Sequence, residues 1–355
     1  MAKIAVVAAD YGESRCVGSV SAELNARGHE CKELLGHGKP MLVDGGIIDR
    51  LLEGQGLLLV AISENDEMEV AIAKRANEKG IPVAIYAPGN GAYSKTSAAP
   101  LRDFASLLLL GNKADEEGAK GLFPQAEVFV VGNVLHEDGY PAVSREESRQ
   151  MLGVAEDEKV IFVPSDKRLG INWPLFHSVI EACHRGQVLE HKPVIVFGLH
   201  PGDPNSITCY TEAATFSRKV LVLVKAKQDM PGTQIVPGCD LMVTACSTLA
   251  EVAAYQRKPV IGFFFESLLA DIEGQRGDQP FVWNLEENGA AVVVRRGSID
   301  DLSQKIDELL TSRESHLWRH LHMRKNQERH YPTPPEPGST AKRAADVIEG
   351  KFFPR

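Results

Sequence analysis

The chain has 355 residues, 43% of them hydrophobic and 25% charged, with 48 acids against 39 bases and a net charge of −9. That length allows two domains of ordinary size, the acidic balance argues against a broad nucleic-acid footprint, and no apolar run reaches the roughly 18 residues of a membrane span. Six cysteines, at 16, 31, 183, 209, 239 and 246, form no Cys-x-x-Cys pair and no zinc-type Cys/His spacing, and Met-Ala-Lys running straight into an apolar stretch shows no secretory signal, so reduced thiols and a cytoplasmic location are the expectation.

Residues 3–9 form an apolar run of the kind found in buried parallel strands. A polar loop, Asp10-Tyr11-Gly12-Glu13-Ser14-Arg15, is expected next, then a helix over 17–27 closed by Gly28. Further strands are expected at 29–34, 56–62, 81–86, 107–110 and 127–131, with helices at 44–53 and 67–78. Strands alternating with helices of about a dozen residues specify an α/β parallel sheet.

The pattern breaks at Gly132-Asn133 and resumes at Val160. A first domain over 1–140, a linker over 141–157 holding a charged helix at 144–152, and a second domain over 158–337 follow from that break. The second domain repeats the scheme, with strands at 160–164, 194–198, 220–224, 241–244, 259–263 and 291–294. Helices are expected at 300–310 and 315–329, then a rigid break at Pro332-Thr333-Pro334-Pro335-Glu336-Pro337 and a final helix over 339–348. Each half reads as a doubly wound, Rossmann-like sheet that binds ligands at the carboxyl ends of its strands, and two such halves facing each other would make a cleft.

The stretch from Gly238 to Ala291 carries the most information. Ala245, Cys246, Ser247 and Thr248 turn out of the 241–244 strand into a helix. Free N–H groups and two hydroxyls at that helix start suit a phosphate, and Glu251, one turn in, lies on the face that can reach a ribose. The same residues would also serve as a plain N-cap with a solvated glutamate. Lys167 and Arg168, at the carboxyl end of the 160–164 strand, are candidate phosphate ligands. His200, after the 194–198 strand, can donate to a phosphate oxygen.

Two α/β halves, Gly132-Asn133, the Ser247-Thr248-x-x-Glu251 turn, and Asp278-Gln279-x-x-x-x-Asn284 before Gly289-Ala290-Ala291 resemble glycosyltransferases of the GT-B fold. Within that fold they are most similar to the bacterial peptidoglycan N-acetylglucosaminyltransferase group and the UDP-GlcNAc 2-epimerase-like superfamily. The segment 338–348 resembles the terminal helix that crosses back to the first domain. The resemblance spans most of the chain as architecture and is sharp only within the second domain. It implies a nucleotide-diphosphate sugar, with UDP the expected nucleotide, as substrate and neither metal nor cofactor. It also implies that Ser247, Thr248 and Ser165 face the diphosphate, that Glu251 holds the ribose, and that Asp278 and Gln279 contact the sugar. The chain departs from the group in two loops. Arg15 falls near where the relatives carry a histidine, and Pro164-Ser165-Asp166-Lys167-Arg168 replaces a glycine-rich turn.

Transfer to a hydroxyl needs a base. Asp10, Glu13 and Asp66 are the acids nearest where it belongs, each also readable as a polar loop or helix-start residue. Arg15 stays protonated, so it is a candidate for binding an anionic acceptor. His316 and His320 share a helix face without an acidic or cysteine partner, so no metal site is expected. No apolar basic helix is evident, which argues against a membrane-surface acceptor. The expected activity is sugar transfer to an unidentified hydroxyl. The alternatives are a nucleotide-sugar 2-epimerase using Glu64, Asp66 and His200, and a nucleotide-sugar-binding protein without chemistry. A homodimer is compatible with all three.

Overall fold

The computed structural model describes residues 1–354 apart from 38–40, 42, 64–66, 90, 167–168, 201–202, 204–206, 216, 218–219, 227–228, 275–280, 282 and 312–313. The chain divides into two compact units, the first mainly Met1–Glu137 with Pro335–Arg355, the second mainly Asp138–Ile272 with Pro280–Pro334.

In the first unit, β1 (Lys3–Ala8), β2 (Glu30–Leu35), β3 (Leu57–Ala61), β4 (Val83–Ala87), β5 (Ala105–Leu110) and β6 (Glu127–Val130) form a parallel sheet in the order β2-β1-β3-β4-β5-β6. The central strands are apolar at nearly every position because helices cover both faces of the sheet. All five residues of β3 and of β4 are buried.

In the second unit, β7 (Lys159–Pro164), β8 (Pro193–Gly198), β9 (Leu221–Lys225), β10 (Leu241–Thr244), β11 (Val260–Phe264) and β12 (Val292–Arg295) are also all parallel, in the order β12-β11-β10-β7-β8-β9. The chain builds this sheet outward from β7 to β9, then returns to β7 and builds the other way through β10. Its direction of travel therefore reverses between β7 and β10, and in the first unit between β1 and β3. Such reversals splay the connecting loops apart at the carboxyl ends of the strands and leave a crevice there.

One segment differs from the sequence expectation. The helix expected at 17–27 runs over Tyr11–Ala26, so Glu13 and Arg15 sit in its first turns and not in a loop. Asp10 is extended at its start (φ −73°, ψ 156°), and its carbonyl accepts the Ser14 N–H at 2.8 Å. Small inward residues, Ser14 and Cys16, let these early turns lie on the sheet.

Within 141–157, the helix Arg145–Leu152 opens on a capping box between Ser144 and Glu147 and packs into the second unit. Its Arg149 is 2% exposed and donates to the Gly238 carbonyl at 3.1 Å and the Glu158 carbonyl at 2.7 Å.

The last helix, Ser339–Phe352, lies against Tyr11–Ala26 and buries Ala341, Ala344, Ala345 and Ile348. Arg27 donates to Asp346 at 2.6 Å and to Glu349 at 2.8 Å. Glu137 accepts the N–H groups of Gly338 and Thr340 at the start of this helix. Gly132 has φ +99°, and a Cβ there would sit 2.9 Å from the Arg343 guanidinium, so glycine is required.

Candidate functional site

At the switch point of the second unit, β10 ends in a strained turn. Cys246 has φ +79°, a left-handed conformation uncommon for a residue with a Cβ. Thr244 Oγ1 accepts the Ser247 N–H at 3.0 Å, and Ser247 Oγ accepts the Leu249 N–H at 3.3 Å. These bonds hold the turn as the chain enters the helix Leu249–Tyr255. Ser247 is half-buried and Thr248 exposed, so neither hydroxyl is lost inside packed protein.

Ser165 directly follows the adjacent strand β7 and is 5% exposed. Its N–H donates to the Gly198 carbonyl at 2.8 Å, and its Oγ accepts the His200 N–H at 2.6 Å. The hydroxyl thus ties the loop after β7 to the loop after β8 and retains its own proton to donate elsewhere.

A second residue locks the same two loops. Asn172 is fully buried, and its side-chain oxygen accepts the Asp166 N–H at 2.6 Å. Its Nδ2 donates to the Asp166 carbonyl at 2.7 Å and to Asp203 Oδ2 at 2.8 Å. The side-chain amide behaves as a piece of backbone, pairing with both polar groups of one residue. Tyr210 also donates to Asp203 Oδ2, at 2.8 Å.

Glu251 is half-buried on the helix Leu249–Tyr255, with Tyr255 four positions on and Tyr331 close by. Burial first, and the Glu251 charge second, push the Tyr255 phenol up to about 12 and raise Tyr331 as well. Tyr331 is also held by Asn284, whose Nδ2 donates to its hydroxyl at 3.3 Å. Both phenols therefore stay protonated donors beside this carboxylate.

The switch point of the first unit carries Asp10, at the carboxyl end of β1. The Asp10 N–H donates to Ser63 Oγ at 3.2 Å. Ser63 in turn donates through its hydroxyl to Glu69 Oε1 at 2.6 Å and through its N–H to Glu69 Oε2 at 2.9 Å. The Ala9 N–H also donates to Glu69 Oε1, at 3.0 Å. One buried carboxylate, 2% exposed, thereby fastens the loops after β1 and β3 to each other. Glu13 and Arg15 are half-buried on the following helix, flanking the buried Cys16. Burial raises the Cys16 thiol, Glu13 raises it further and Arg15 opposes, so this sulfur is no nucleophile.

The fold gathers Ser165, His200, Ser247, Thr248 and Glu251 on three neighbouring strand ends of one unit, and Asp10, Glu13 and Arg15 on one helix start of the other. Asp66, Lys167, Arg168, Asp278 and Gln279, with Glu64, lie outside the described residues. Sequence reasoning missed Glu69, Asn172, Asp203 and Tyr210. A signal existed for two of them. Glu69, Ile72, Ala73 and Ala76 share a helical stripe, as do Asn172, Leu175, Phe176 and Val179. A polar residue on an apolar stripe is buried and must find partners.

Among the described residues no group of three or more His, Cys, Asp or Glu side chains is arranged to hold a metal ion. Among them, no helix is long and apolar enough to cross a membrane.

No protein-family model matches the sequence, and no curated protein sequence does. The fold, by contrast, is similar to solved structures along its whole length. UDP-GlcNAc 2-epimerase from Neisseria meningitidis bound to UDP-GlcNAc superposes with a TM-score of 0.70 at 12% identity, over 98% of this chain and 100% of that one. The S. aureus MnaA–UDP structure gives 0.68 at 15% identity, over 100% and 98%. MurG from Acinetobacter baumannii gives 0.62 at 13% identity, over 99% and 100%. Together with the two six-stranded parallel sheets, this likeness makes the chain an α/β protein of two Rossmann-like units with the GT-B fold.

Proposed function

We propose that the chain is an enzyme that binds a UDP-sugar along the carboxyl edge of the second sheet and breaks the bond between the anomeric carbon and the diphosphate. What carries the reading is that Ser165 and the Cys246–Thr248 turn follow the neighbouring strands β7 and β10 at the reversal of the sheet, where α/β sheets bind ligands. UDP as the nucleotide is supported by full-length likeness to structures that hold UDP or UDP-GlcNAc. Ser247, Thr248, Ser165 and His200, with Lys167 and Arg168, are assigned to the diphosphate. Glu251 is assigned to the ribose, and Asp278 and Gln279 to the sugar. Donors aimed at the departing diphosphate stabilise the charge that develops there, which is usually the largest catalytic contribution.

The first reading is transfer without a metal. The acceptor hydroxyl oxygen bonds to the anomeric carbon as the carbon–oxygen bond to the diphosphate breaks. The hydroxyl proton passes to a carboxylate, a role assigned to Asp10, Glu13 or Asp66, while Arg15 is assigned to an anionic acceptor. The second reading is 2-epimerisation. There a base takes the proton at C2 while UDP leaves, and the reverse addition delivers a proton to the other face. The Neisseria epimerase superposes better than MurG (0.70 against 0.62) at similar identity (12% against 13%), which favours keeping this reading.

The test is incubation of the full chain with UDP-GlcNAc. Conversion to the 2-epimer with no acceptor present selects epimerisation. UDP release only with an added acceptor selects transfer. Absence of calorimetric UDP binding sinks both.

A further inference from the structure

The helix Glu314–His330 is held to the second unit by an unusual inner face. Met323 and Gln327 are buried, and the Gln327 amide donates to the carbonyls of Lys258 at 2.8 Å and Ala290 at 3.0 Å. Asn326 donates to the Gly289 carbonyl at 3.2 Å, and Arg319 pairs with Glu308. These bonds fix the helix's rotation. At 100° per residue, they turn Leu317, Trp318 and Leu321 outward. The three are 54%, 60% and 56% exposed, and apart from Met1 they are the most exposed large apolar side chains among the described residues.

The next turns of the same outward face carry Arg324, Lys325 and Arg329 against one acid, Glu328, which Arg324 meets at 3.3 Å. The face is thus locally cationic on a chain of net charge −9. The sequence conceals it because the inner stripe is itself largely polar, so apolar residues do not mark the buried side.

We propose that this face docks the protein on an anionic phospholipid surface. Leu317, Trp318 and Leu321 enter the boundary between headgroups and acyl chains, where indole is favoured, and Arg324, Lys325 and Arg329 meet lipid phosphates. Charge complementarity selects this occupant. A row of cations beside exposed apolar side chains matches a surface that offers acyl chains and phosphates together.

The test is co-sedimentation of the full chain with phosphatidylcholine vesicles, with and without phosphatidylglycerol. The expected result is roughly tenfold more binding to the anionic vesicles, reduced by added salt. Trp318→Ser with Leu321→Ser should abolish binding while leaving the melting temperature unchanged, since both side chains are exposed. Lys325→Glu with Arg329→Glu should remove only the preference for phosphatidylglycerol. The proposal is overturned if the wild type does not bind anionic vesicles, or if the double serine variant binds as well as the wild type. It is also overturned if the wild type is a dimer that the serine substitutions dissociate, because the face then belongs to a second copy.

Discussion

Ser63 donates its hydroxyl to Glu69 Oε1 at 2.6 Å while its own oxygen accepts the Asp10 N–H at 3.2 Å. This two-step relay joins a buried carboxylate to the backbone of the first unit's candidate site. It follows that Glu69→Ala leaves the N–H groups of Ala9 and Ser63 and the Ser63 hydroxyl without their acceptor. Each unsatisfied buried group costs about 1–3 kcal/mol, and water entering the space offsets part of that. A loss of about 3–5 kcal/mol is expected for the unit by urea denaturation. Glu69→Gln keeps one acceptor oxygen and should lose roughly half as much. Equal stability of Glu69→Ala and the wild type would show that the relay carries no load.

The same reasoning applies to Asn172, whose amide pairs with both backbone groups of Asp166 and with Asp203. Asn172→Asp removes two donated bonds and sets a second carboxylate beside Asp203. Like charges at such a distance destabilise each other. UDP affinity should fall, since the loop bearing Ser165 loses its anchor, and it should partly recover at acid pH as one carboxylate takes a proton. Titration calorimetry across pH distinguishes this from simple unfolding, which acid would worsen.

The alternation of apolar strands and amphipathic helices was legible because each strand is buried on both faces, and that pattern needs no tertiary knowledge. The turn at Cys246 was legible too, since Ser247 and Thr248 are small polar residues immediately after a buried strand. What stayed hidden depends on partners distant in sequence. Nothing local says that Glu69 meets Ala9, or that Asn172 meets Asp203. The start of the Tyr11–Ala26 helix was hidden for a different reason. Its first turn is rich in polar residues and Gly12, which propensity reads as loop, yet contact with the sheet overrides propensity.

Arg149 and Asp240 offer a pH-linked prediction. Burial pushes the Asp240 carboxyl up, but the Val160 N–H and the Arg145 guanidinium outweigh it, and the net position is below the ordinary carboxylate value. A depressed folded-state pKa contributes stability that is complete above the unfolded value of about 3.9 and is lost as pH falls through the folded value. The urea midpoint of the wild type should therefore drop more steeply below about pH 4 than that of Asp240→Asn, which cannot titrate. Arg149→Met removes the donor to Asp240 at 3.3 Å and to the Gly238 and Glu158 carbonyls. It should cost about 3–5 kcal/mol at neutral pH.

Glu251 tests the second unit's site directly. Its carboxylate stands near two phenols, Tyr255 and Tyr331, which burial and the Glu251 charge keep protonated. A ribose diol donates well to such a group, and charged hydrogen bonds contribute more than neutral ones. Glu251→Ala should weaken UDP binding by roughly 1.5–3 kcal/mol, whereas Glu251→Gln, which keeps an oxygen acceptor, should lose less. The comparison that isolates the ribose is UDP against inorganic pyrophosphate. The alanine substitution should reduce affinity for UDP and leave pyrophosphate untouched, while Ser247→Ala with Thr248→Ala should weaken both. Equal losses for the two ligands in Glu251→Ala would remove this residue from the ribose and place its effect on the fold of the turn instead.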